Sequence, residues 1–184
     1  MVYVALLRGI NVGGKRKVDM RQLKSTFEHA GMRGVRTYIN SGNVVFSHDS
    51  PRAASLVSAL ERAIEADFGF PVKVLLRDSD SVASLMEALP DTWVNDQTAK
   101  CDVMFLGNEH DSPDFLKELT IKPGIDDVKY VPGAVLWRVD RSNVTRSGIL
   151  KLIGTEAYRQ VTVRNCNTLR RLAELIRLED VGQG

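Results

Sequence analysis

The amino-acid sequence predicts a mixed α+β fold in which one order of elements, strand–helix–strand–strand–helix–strand, occurs twice. Short apolar runs typical of buried strands alternate with amphipathic helical patterns, and turn residues separate them. The same series starts again close to residue 100. This order is that of the ferredoxin-like split motif. We therefore expect two tandem ferredoxin-like (βαββαβ) modules with mainly antiparallel sheets, helices on one face and an extra C-terminal helix.

The first module is predicted over residues 1–78. Asp19 precedes its first helical pattern, which Gly31 ends, and Asn40-Ser41-Gly42-Asn43 is a hairpin signal between two strands. Ser50-Pro51 predicts the N-terminus of the second helix, which stops at Gly69. The four strands are expected at residues 2–7, 35–39, 44–46 and 71–76.

A connecting helix at residues 81–89 and a polar stretch form the predicted linker, residues 79–99, so that the second module covers 100–184. Ser112-Pro113 predicts the start of its first helix. Its strands are expected at residues 101–106, 128–131, 134–139 and 160–163, and its helices at 149–153 and, as the extra C-terminal helix, 169–178.

The composition excludes several classes of protein. Of the 184 residues, 43% are hydrophobic and 26% charged, which is typical of an ordered globular protein and not of a disordered or fibrous one. No apolar run is long enough to span a membrane, and the apolar start stops at Arg8, which argues against a signal peptide. Two distant cysteines and three histidines without ligand spacing predict no disulfide framework, no metal or other cofactor, and a reducing, cytoplasmic setting.

The net charge of +2 hides an uneven distribution. Residues 8–36 carry eight basic and two acidic side chains. Residues 38–137 carry eight basic and sixteen acidic ones, and residues 138–177 carry nine basic and three acidic ones. Sixteen of the 25 basic residues are arginine, whose planar guanidinium suits phosphate and carboxylate. The chain therefore has two basic segments around an acidic middle, although solvated surface charge explains such clusters about as well.

The first loop with candidate ligand-binding residues is 8–17, which has the G-x-x-x-x-G-K spacing of a phosphate-binding P-loop. Arg16 stands where that motif needs Ser or Thr for magnesium, and the strand order lacks the parallel βαβ setting, so we reject a nucleotide triphosphatase. A weaker anion site remains, and turn formation alone would also explain the glycines. The candidates in this loop are Arg8, Asn11, Gly13, Gly14 and Lys15.

Two further loops lie where the topology brings polar and basic residues together. In the split motif, the hairpin between the second and third strands lies at the same end of the sheet as the first loop. We therefore expect Asn40, Ser41 and Asn43, which form this hairpin, to lie close to the first loop.

The third loop holds Arg164, Asn165 and Asn167 before the terminal helix, for which Asn167 or Thr168 is the expected N-cap. If the modules pack with their basic ends facing, both basic segments line one cleft. The residues expected at the second basic end also include Arg138, Arg141, Asn143 and Arg146.

Three stretches, residues 7–15 (LRGINVGGK), 37–46 (TYINSGNVVF) and 164–168 (RNCNT), resemble the domain-of-unknown-function family 1697, mostly bacterial proteins. The resemblance implies a duplicated ferredoxin-like architecture and implies no activity. The family usually has tryptophan at the position of Cys166, so the resemblance implies neither a stacking role nor a catalytic thiol at that position.

The preferred hypothesis is a protein that binds an anionic, phosphate-bearing small ligand in the basic cleft. Nucleic acid is disfavoured because the net charge is small and residues 43–46 lack the paired aromatics of RNA-recognition modules. One alternative is an enzyme acting on an anionic substrate, with Asp19, Asp140 and Cys166 as candidate reactive groups. The other is an interaction module whose basic end docks on the acidic middle of another molecule, and the oligomeric state is left open.

Overall fold

The computed structural model describes residues 1–49 and 53–181, which form an α+β fold with two four-stranded antiparallel sheets. The first sheet contains β1 (Val2–Leu7), β2 (Arg33–Tyr38), β3 (Asn43–Ser47) and β4 (Val74–Asp78). The second contains β5 (Ala99–Leu106), β6 (Asp126–Val131), β7 (Ala134–Asp140) and β8 (Val161–Asn165). The α-helices are α1 (Met20–His29), α2 (Ala53–Phe68), α3 (Ser79–Ala88), α4 (Ile149–Leu152), α5 (Glu156–Arg159) and α6 (Cys166–Val181).

The chain divides into two compact units. Unit 1 consists of Met1–Asp80 and Leu172–Gly184, and unit 2 is Ser81–Arg171. The division falls inside α6, whose second half belongs to unit 1, where Glu179 pairs with Arg36 at 3.3 Å. The predicted second module, residues 100–184, includes the whole C-terminal helix, and the predicted domain limits at residues 78 and 99 stay predictions.

The sheet of unit 1 has the strand order β2-β3-β1-β4, with all neighbours antiparallel. Helix α1 begins after Asp19, whose carboxylate accepts hydrogen bonds from the amides of Arg21 and Gln22 and so caps the helix as predicted. Phe27 from α1 meets the ring of Phe46 at 5.6 Å, in an edge-to-face contact inside the core. The core also includes residues from β1, α1 and α2: Tyr3, Leu23, Leu60 and Ile64.

The register of this sheet decides which loops meet. Leu6 lies opposite Asn43, and the amide of Leu7 donates to the carbonyl of Gly42 at 2.8 Å. The chain therefore leaves β1 directly beside the β2–β3 turn. This places the glycine-rich loop and the 40–43 turn at one end of the sheet.

The sheet of unit 2 has the order β6-β7-β5-β8, again antiparallel throughout. Its core contains Met104, Phe115, Trp137 and Ile149, among other apolar residues. Asp126 is buried beside this core, where its carboxylate accepts from the Trp137 indole Nε1 at 3.1 Å. A buried carboxylate is stable only when its oxygens are hydrogen-bonded, and Asp126 meets that condition.

Several element limits differ from the predicted ones. The helix after Ser112 is 3₁₀ over Pro113–Glu118, since Ser112 caps the amide of Asp114 but only a short apolar pattern follows. Helix α6 starts at Cys166, earlier than predicted. Further 3₁₀ turns cover Asn108–His110 and Arg141–Arg146. The predicted cap at Ser50-Pro51 lies outside the described residues.

None of the helices in the described parts of the chain combines the length and the apolar character that crossing a bilayer requires.

Candidate functional site

The glycine-rich loop folds as a tight hairpin and not as a phosphate cradle. Val12 and Lys15 form an antiparallel bridge, and the amide of Lys15 donates to the Val12 carbonyl at 3.2 Å. Gly13 and Gly14 connect them with φ values of 60° and 73°, the pattern of a two-residue type I′ turn. A Cβ at either glycine would meet nothing within 4 Å, so backbone conformation alone requires them.

Three consecutive cations, Lys15, Arg16 and Lys17, lie exposed on the returning arm of this hairpin. Within residues 1–49 and 53–181, none of the three is part of an ion pair. Arg16 lies over Gly9, since its Nη1 is 3.9 Å from where a Cβ of Gly9 would stand. Residues 11–17, called the basic hairpin below, therefore hold a concentrated positive charge that the described carboxylates leave uncompensated.

Asn11 fixes the basic hairpin to the rest of unit 1. Its Oδ1 accepts from the amide of Val18 at 2.8 Å, and its Nδ2 donates to the Val18 carbonyl at 3.0 Å. The same Nδ2 donates to the carbonyl of Asn40 at 2.8 Å. The two loops thus meet at Asn11, as the predicted topology requires, and this side chain positions the hairpin.

The second loop turns tightly around Asn43 and Gly42. Asn43 has no exposed surface, and its Nδ2 donates to the Tyr38 carbonyl at 3.0 Å and to Ser41 Oγ at 2.9 Å. The Asn43 side chain therefore stabilises the turn. The sequence suggests that it contacts a ligand, but its amide group is buried and bonded within the turn. The side chain of Asn40 is exposed and that of Ser41 is half-buried, so both face the surface of this end.

Backbone strain is concentrated at the same end of unit 1. Asn11, Arg16 and Ile39 have φ values of 54°, 49° and 49°, and they are the non-glycine residues with positive φ among those described. This conformation is unusual for a β-branched residue such as Ile39, and such strain gathers at functional sites. Ile39 is 50% exposed and Val12 68%, so apolar surface accompanies the cations.

The third predicted loop lies in unit 2, and its asparagines have structural partners. Asn165 Oδ1 accepts from the amide of Thr168 at 2.9 Å, so Asn165 is the N-cap of α6 and the prediction of Asn167 or Thr168 was wrong. Asn167 forms a pair of hydrogen bonds with the backbone of Asn95, accepting at 3.2 Å and donating at 2.8 Å. Arg164 is half-buried, its Nη1 donates to the Val163 carbonyl at 2.8 Å, and burial lowers its pKa to about 10.

Three other arginines of the second basic segment, Arg138, Arg141 and Arg146, have partners within unit 2. Arg138 lies between Asp127 and Asp140, with N–O distances of 3.0 and 2.7 Å. Arg141 donates to the carbonyl of Asp96 at 2.9 Å, and Arg146 to Asn143 at 3.2 Å. Most of this second positive cluster therefore holds loops and acidic side chains in place, in contrast to the basic hairpin.

The comparisons with known proteins agree with the fold. The model of a protein family of unknown function, DUF1697, matches residues 1–137. The chain belongs to this family. A conserved bacterial protein, SP0830 from Streptococcus pneumoniae, has a similar structure, with a TM-score of 0.81 and 29% identity over 95% of this chain and 98% of the other. Among curated proteins, nothing matches the sequence.

The DUF1697 match contains the first two loops and ends before the third. The basic hairpin and the 40–43 turn lie within residues 1–137, whereas the stretch at 164–168 lies beyond them. Of the three cations, Lys15 is a candidate predicted from the sequence, whereas Arg16 and Lys17 are not, although the run of three charges after Gly13-Gly14 is the signal for them. Asn95 is not a predicted candidate either, because a polar stretch offers no specific signal.

Replacing Asn11 by alanine is expected to lower the free energy of unfolding of unit 1 by about 2 kcal/mol. The change removes three hydrogen bonds and puts alanine at a φ of 54°, which asparagine tolerates better. Urea denaturation monitored by circular dichroism measures the loss. Asn40→Ala is the matched control, because Asn40 takes part in this contact through its backbone carbonyl, which the substitution keeps. If Asn40→Ala lost as much stability as Asn11→Ala, the role assigned to the Asn11 side chain would be wrong.

Proposed function

We propose that this DUF1697 protein binds an anionic, phosphate-bearing small ligand at the basic hairpin of unit 1. The observation that carries the proposal is the set of three adjacent exposed cations, Lys15, Arg16 and Lys17, without a carboxylate partner in the described chain. Hydrogen bonds from cationic donors to phosphate are among the stronger ones in proteins. The arginine fork adds orientation to the attraction.

The fixed geometry of the hairpin supports ligand binding over a merely solvated surface. The type I′ turn and the three hydrogen bonds of Asn11 define the backbone of the hairpin before any ligand arrives. A preorganised backbone reduces the entropy lost on binding. The backbone that carries the three cations is therefore held in place at the end of the sheet.

Exposed apolar surface favours a ligand with two chemical parts. Val12 lies in the basic hairpin and Ile39 in the loop that Asn11 ties to it, and both are largely exposed. A nucleotide-like metabolite combines a phosphate for the cations with a flat, weakly polar ring for these side chains. We therefore expect mononucleotides to bind more tightly than inorganic phosphate.

Nucleic acid is the less favoured ligand. The aromatic residues of β1 and β3, Tyr3 and Phe46, stack on each other inside the core, where they are 2% and 0% exposed. They are therefore inaccessible to bases, which RNA-recognition sheets stack on exposed aromatics. The net charge of +2 also falls below the excess expected for general binding to a phosphate backbone.

Binding is favoured over catalysis because two of the candidate reactive carboxylates have other tasks. Asp19 caps α1 by accepting from two backbone amides. Asp140 forms an ion pair with Arg138 at 2.7 Å. A general acid or base needs a titrating group within reach of the substrate, and these two groups are occupied elsewhere.

We also infer that the two units are copies of one ferredoxin-like βαββαβ arrangement. The support is the equivalent order of the strands: the third strand of each set lies between the second and the first, and the fourth pairs with the first. Two helices, α1 and α2, fit this arrangement in unit 1, whereas 3₁₀ turns and the short α4 and α5 take their places in unit 2. A cytoplasmic setting is part of the proposal, because both cysteines are free.

The triple variant Lys15→Gln/Arg16→Gln/Lys17→Gln is expected to abolish ligand-induced stabilisation. A thermal-shift panel of nucleoside monophosphates, phosphosugars and inorganic pyrophosphate should raise the melting temperature of the wild type by about 5–10 °C at a hundredfold excess over Kd. The matched control is Lys24→Gln/Lys117→Gln/Lys151→Gln, which removes the same charge from exposed positions elsewhere. No shift in the wild type, or an equal loss in both variants, would refute the proposal.

A further inference from the structure

The two cysteines, which are 65 positions apart in the sequence, face each other in unit 2. Strand β5 pairs with β8, and the last pair of their register is Asp102 with Asn165. Cys101 in β5 and Cys166, the first residue of α6, are the residues that directly adjoin this last pair. Both side chains are fully buried, and their thiol groups interact directly, with Cys101 as the hydrogen-bond donor.

Cys166 has the surroundings of a reactive thiol. It is the first residue of the 16-residue helix α6, whose N-terminal dipole favours negative charge. Arg170 lies one turn further along the same helix and interacts with the sulfur. The hydrogen bond from Cys101, opposed by burial and assisted by the charge of Arg170, lowers the pKa of Cys166 to about 7.

Cys101 has the opposite character. Its hydrogen bond to Cys166, its burial and the nearby carboxylate of Asp102 all raise the pKa of its thiol. The surroundings of the two sulfurs are therefore asymmetric: Arg170 favours the thiolate form of Cys166, whereas Asp102 disfavours that of Cys101. This is the division of tasks between an attacking and a resolving cysteine.

The cover over Cys166 is an irregular segment, residues 90–98, which side-chain hydrogen bonds hold in place. The Cys166 thiol donates to the Trp93 carbonyl at 3.1 Å. Arg170 donates to the same carbonyl at 3.0 Å and to that of Pro90 at 3.1 Å. Six of its nine residues are exposed and none lies in a helix or strand, so we expect this segment to open locally before the sheet unfolds.

We propose that Cys101 and Cys166 form a redox-active dithiol that hydroperoxides oxidise to an intrachain disulfide. Cys101 and Cys166 each adjoin the last pair of the β5–β8 ladder, where paired Cα atoms lie about 4.5–5.5 Å apart, and their thiols are close enough to interact, so a disulfide between them needs only a short approach. The site is independent of the basic hairpin, which lies in unit 1.

The reaction balances with hydrogen peroxide as the oxidant. The Cys166 thiolate attacks one peroxide oxygen, so that an S–O bond forms and the O–O bond breaks. The leaving hydroxide combines with the proton that the Cys166 thiol released on ionisation and becomes water, and the sulfur is oxidised to sulfenic acid. The sulfur of Cys101 then attacks Cys166, the S–S bond forms, and the hydroxyl leaves as water with the Cys101 proton. Two molecules of a low-molecular-weight thiol reverse the oxidation: the first forms a mixed disulfide with one cysteine, and the second displaces that cysteine, so that the two thiols leave joined as a disulfide.

Oxidation also changes the cover. The disulfide has no S–H to donate, so the Trp93 carbonyl loses the hydrogen bond from Cys166 and keeps the one from Arg170. We therefore expect residues 90–98 to exchange amide hydrogens faster in the oxidised protein than in the reduced one.

The test is a titration of the reduced full-length chain with hydrogen peroxide, followed by intact-mass analysis and non-reducing peptide mapping. The expected product has lost the mass of two hydrogens and carries one cross-linked peptide pair containing Cys101 and Cys166. Cys101→Ser should stop at a sulfenic acid that dimedone traps, and Cys166→Ser should react about tenfold more slowly than the wild type.

The wild-type chain alone decides the proposal, even if a variant fails to fold, because its only thiols are these two. Both thiols remaining reduced at peroxide concentrations that oxidise free glutathione in the same solution would overturn it. A disulfide found only between two chains would also overturn it, as would equal oxidation rates in folded Cys166→Ser and the wild type.

Discussion

Replacing Gly42 by alanine is expected to destabilise unit 1 by about 3 kcal/mol. Gly42 has a φ of 77°, and a Cβ there would lie 2.7 Å from Leu7 Cβ and 2.7 Å from Ile10 Cδ1. Leu7 Cβ is bonded directly to the backbone of β1, so it cannot move away without shifting the strand. The variant therefore combines a strained backbone with a clash in the core, and urea denaturation of the full chain measures the loss.

Gly69→Ala is the matched control for Gly42→Ala. Its φ of 76° is nearly identical, but a Cβ there would meet nothing within 4 Å. The control should lose only the cost of the left-handed backbone, about 1 kcal/mol. Equal losses in the two variants would show that backbone strain alone matters and that the packing of the 40–43 turn on β1 is looser than described.

Asp126→Asn is expected to destabilise unit 2 by about 3 kcal/mol. Each carboxylate oxygen accepts two hydrogen bonds: Oδ1 from Trp137 and Ser147, and Oδ2 from the amides of Lys122 and Gly148. An amide in place of the carboxylate turns one acceptor into a donor that faces other donors. The adjacent Asp127→Asn is the control, since Asp127 is exposed and forms an ion pair with Arg138 at the surface; the stability lost in this variant should stay below about 1 kcal/mol.

The effect of Asp126→Asn should depend on pH in a defined direction. Burial by itself would raise the pKa of Asp126, but the hydrogen bonds from Ser147, Gly148 and Lys122 outweigh it and hold the pKa below its usual value. A depressed folded-state pKa contributes stability that is present above about pH 4 and is lost as the pH falls through the folded value. The difference between wild type and variant should therefore shrink in acid, and a difference that grew in acid would contradict this assignment.

The secondary structure could be predicted where local chemistry decides it. The apolar run 2–7 and the Asp19 cap each correspond to an observed element, because burial and capping act over a few residues. The 3₁₀ helix at Pro113–Glu118 was predicted as an ordinary helix, since a proline-started, partly apolar stretch of six residues suits both forms. The start of α6 was placed too late, because the sequence around Asn165 offers several possible caps.

The site could be predicted only in part, because its residues act through tertiary contacts. Topology was enough to bring the first loop and the 40–43 turn together. It could not tell that Asn11 and Asn43 use their side chains to hold backbone groups, since asparagine binds ligands and closes turns with the same atoms. The facing of Cys101 and Cys166 depends on the exact register of β5 and β8, which the sequence pattern leaves undetermined.

The most direct test of anion binding is an NMR titration of the isotope-labelled full chain with adenosine monophosphate and, separately, inorganic pyrophosphate. We predict amide shifts that saturate at residues 11–17 and at Asn40 and Ser41, that are lost in Lys15→Gln/Arg16→Gln/Lys17→Gln, and that persist in the charge-matched control. Shifts that never saturate and spread over exposed lysines and arginines throughout the chain, or saturating shifts confined to unit 2, would contradict the proposed site.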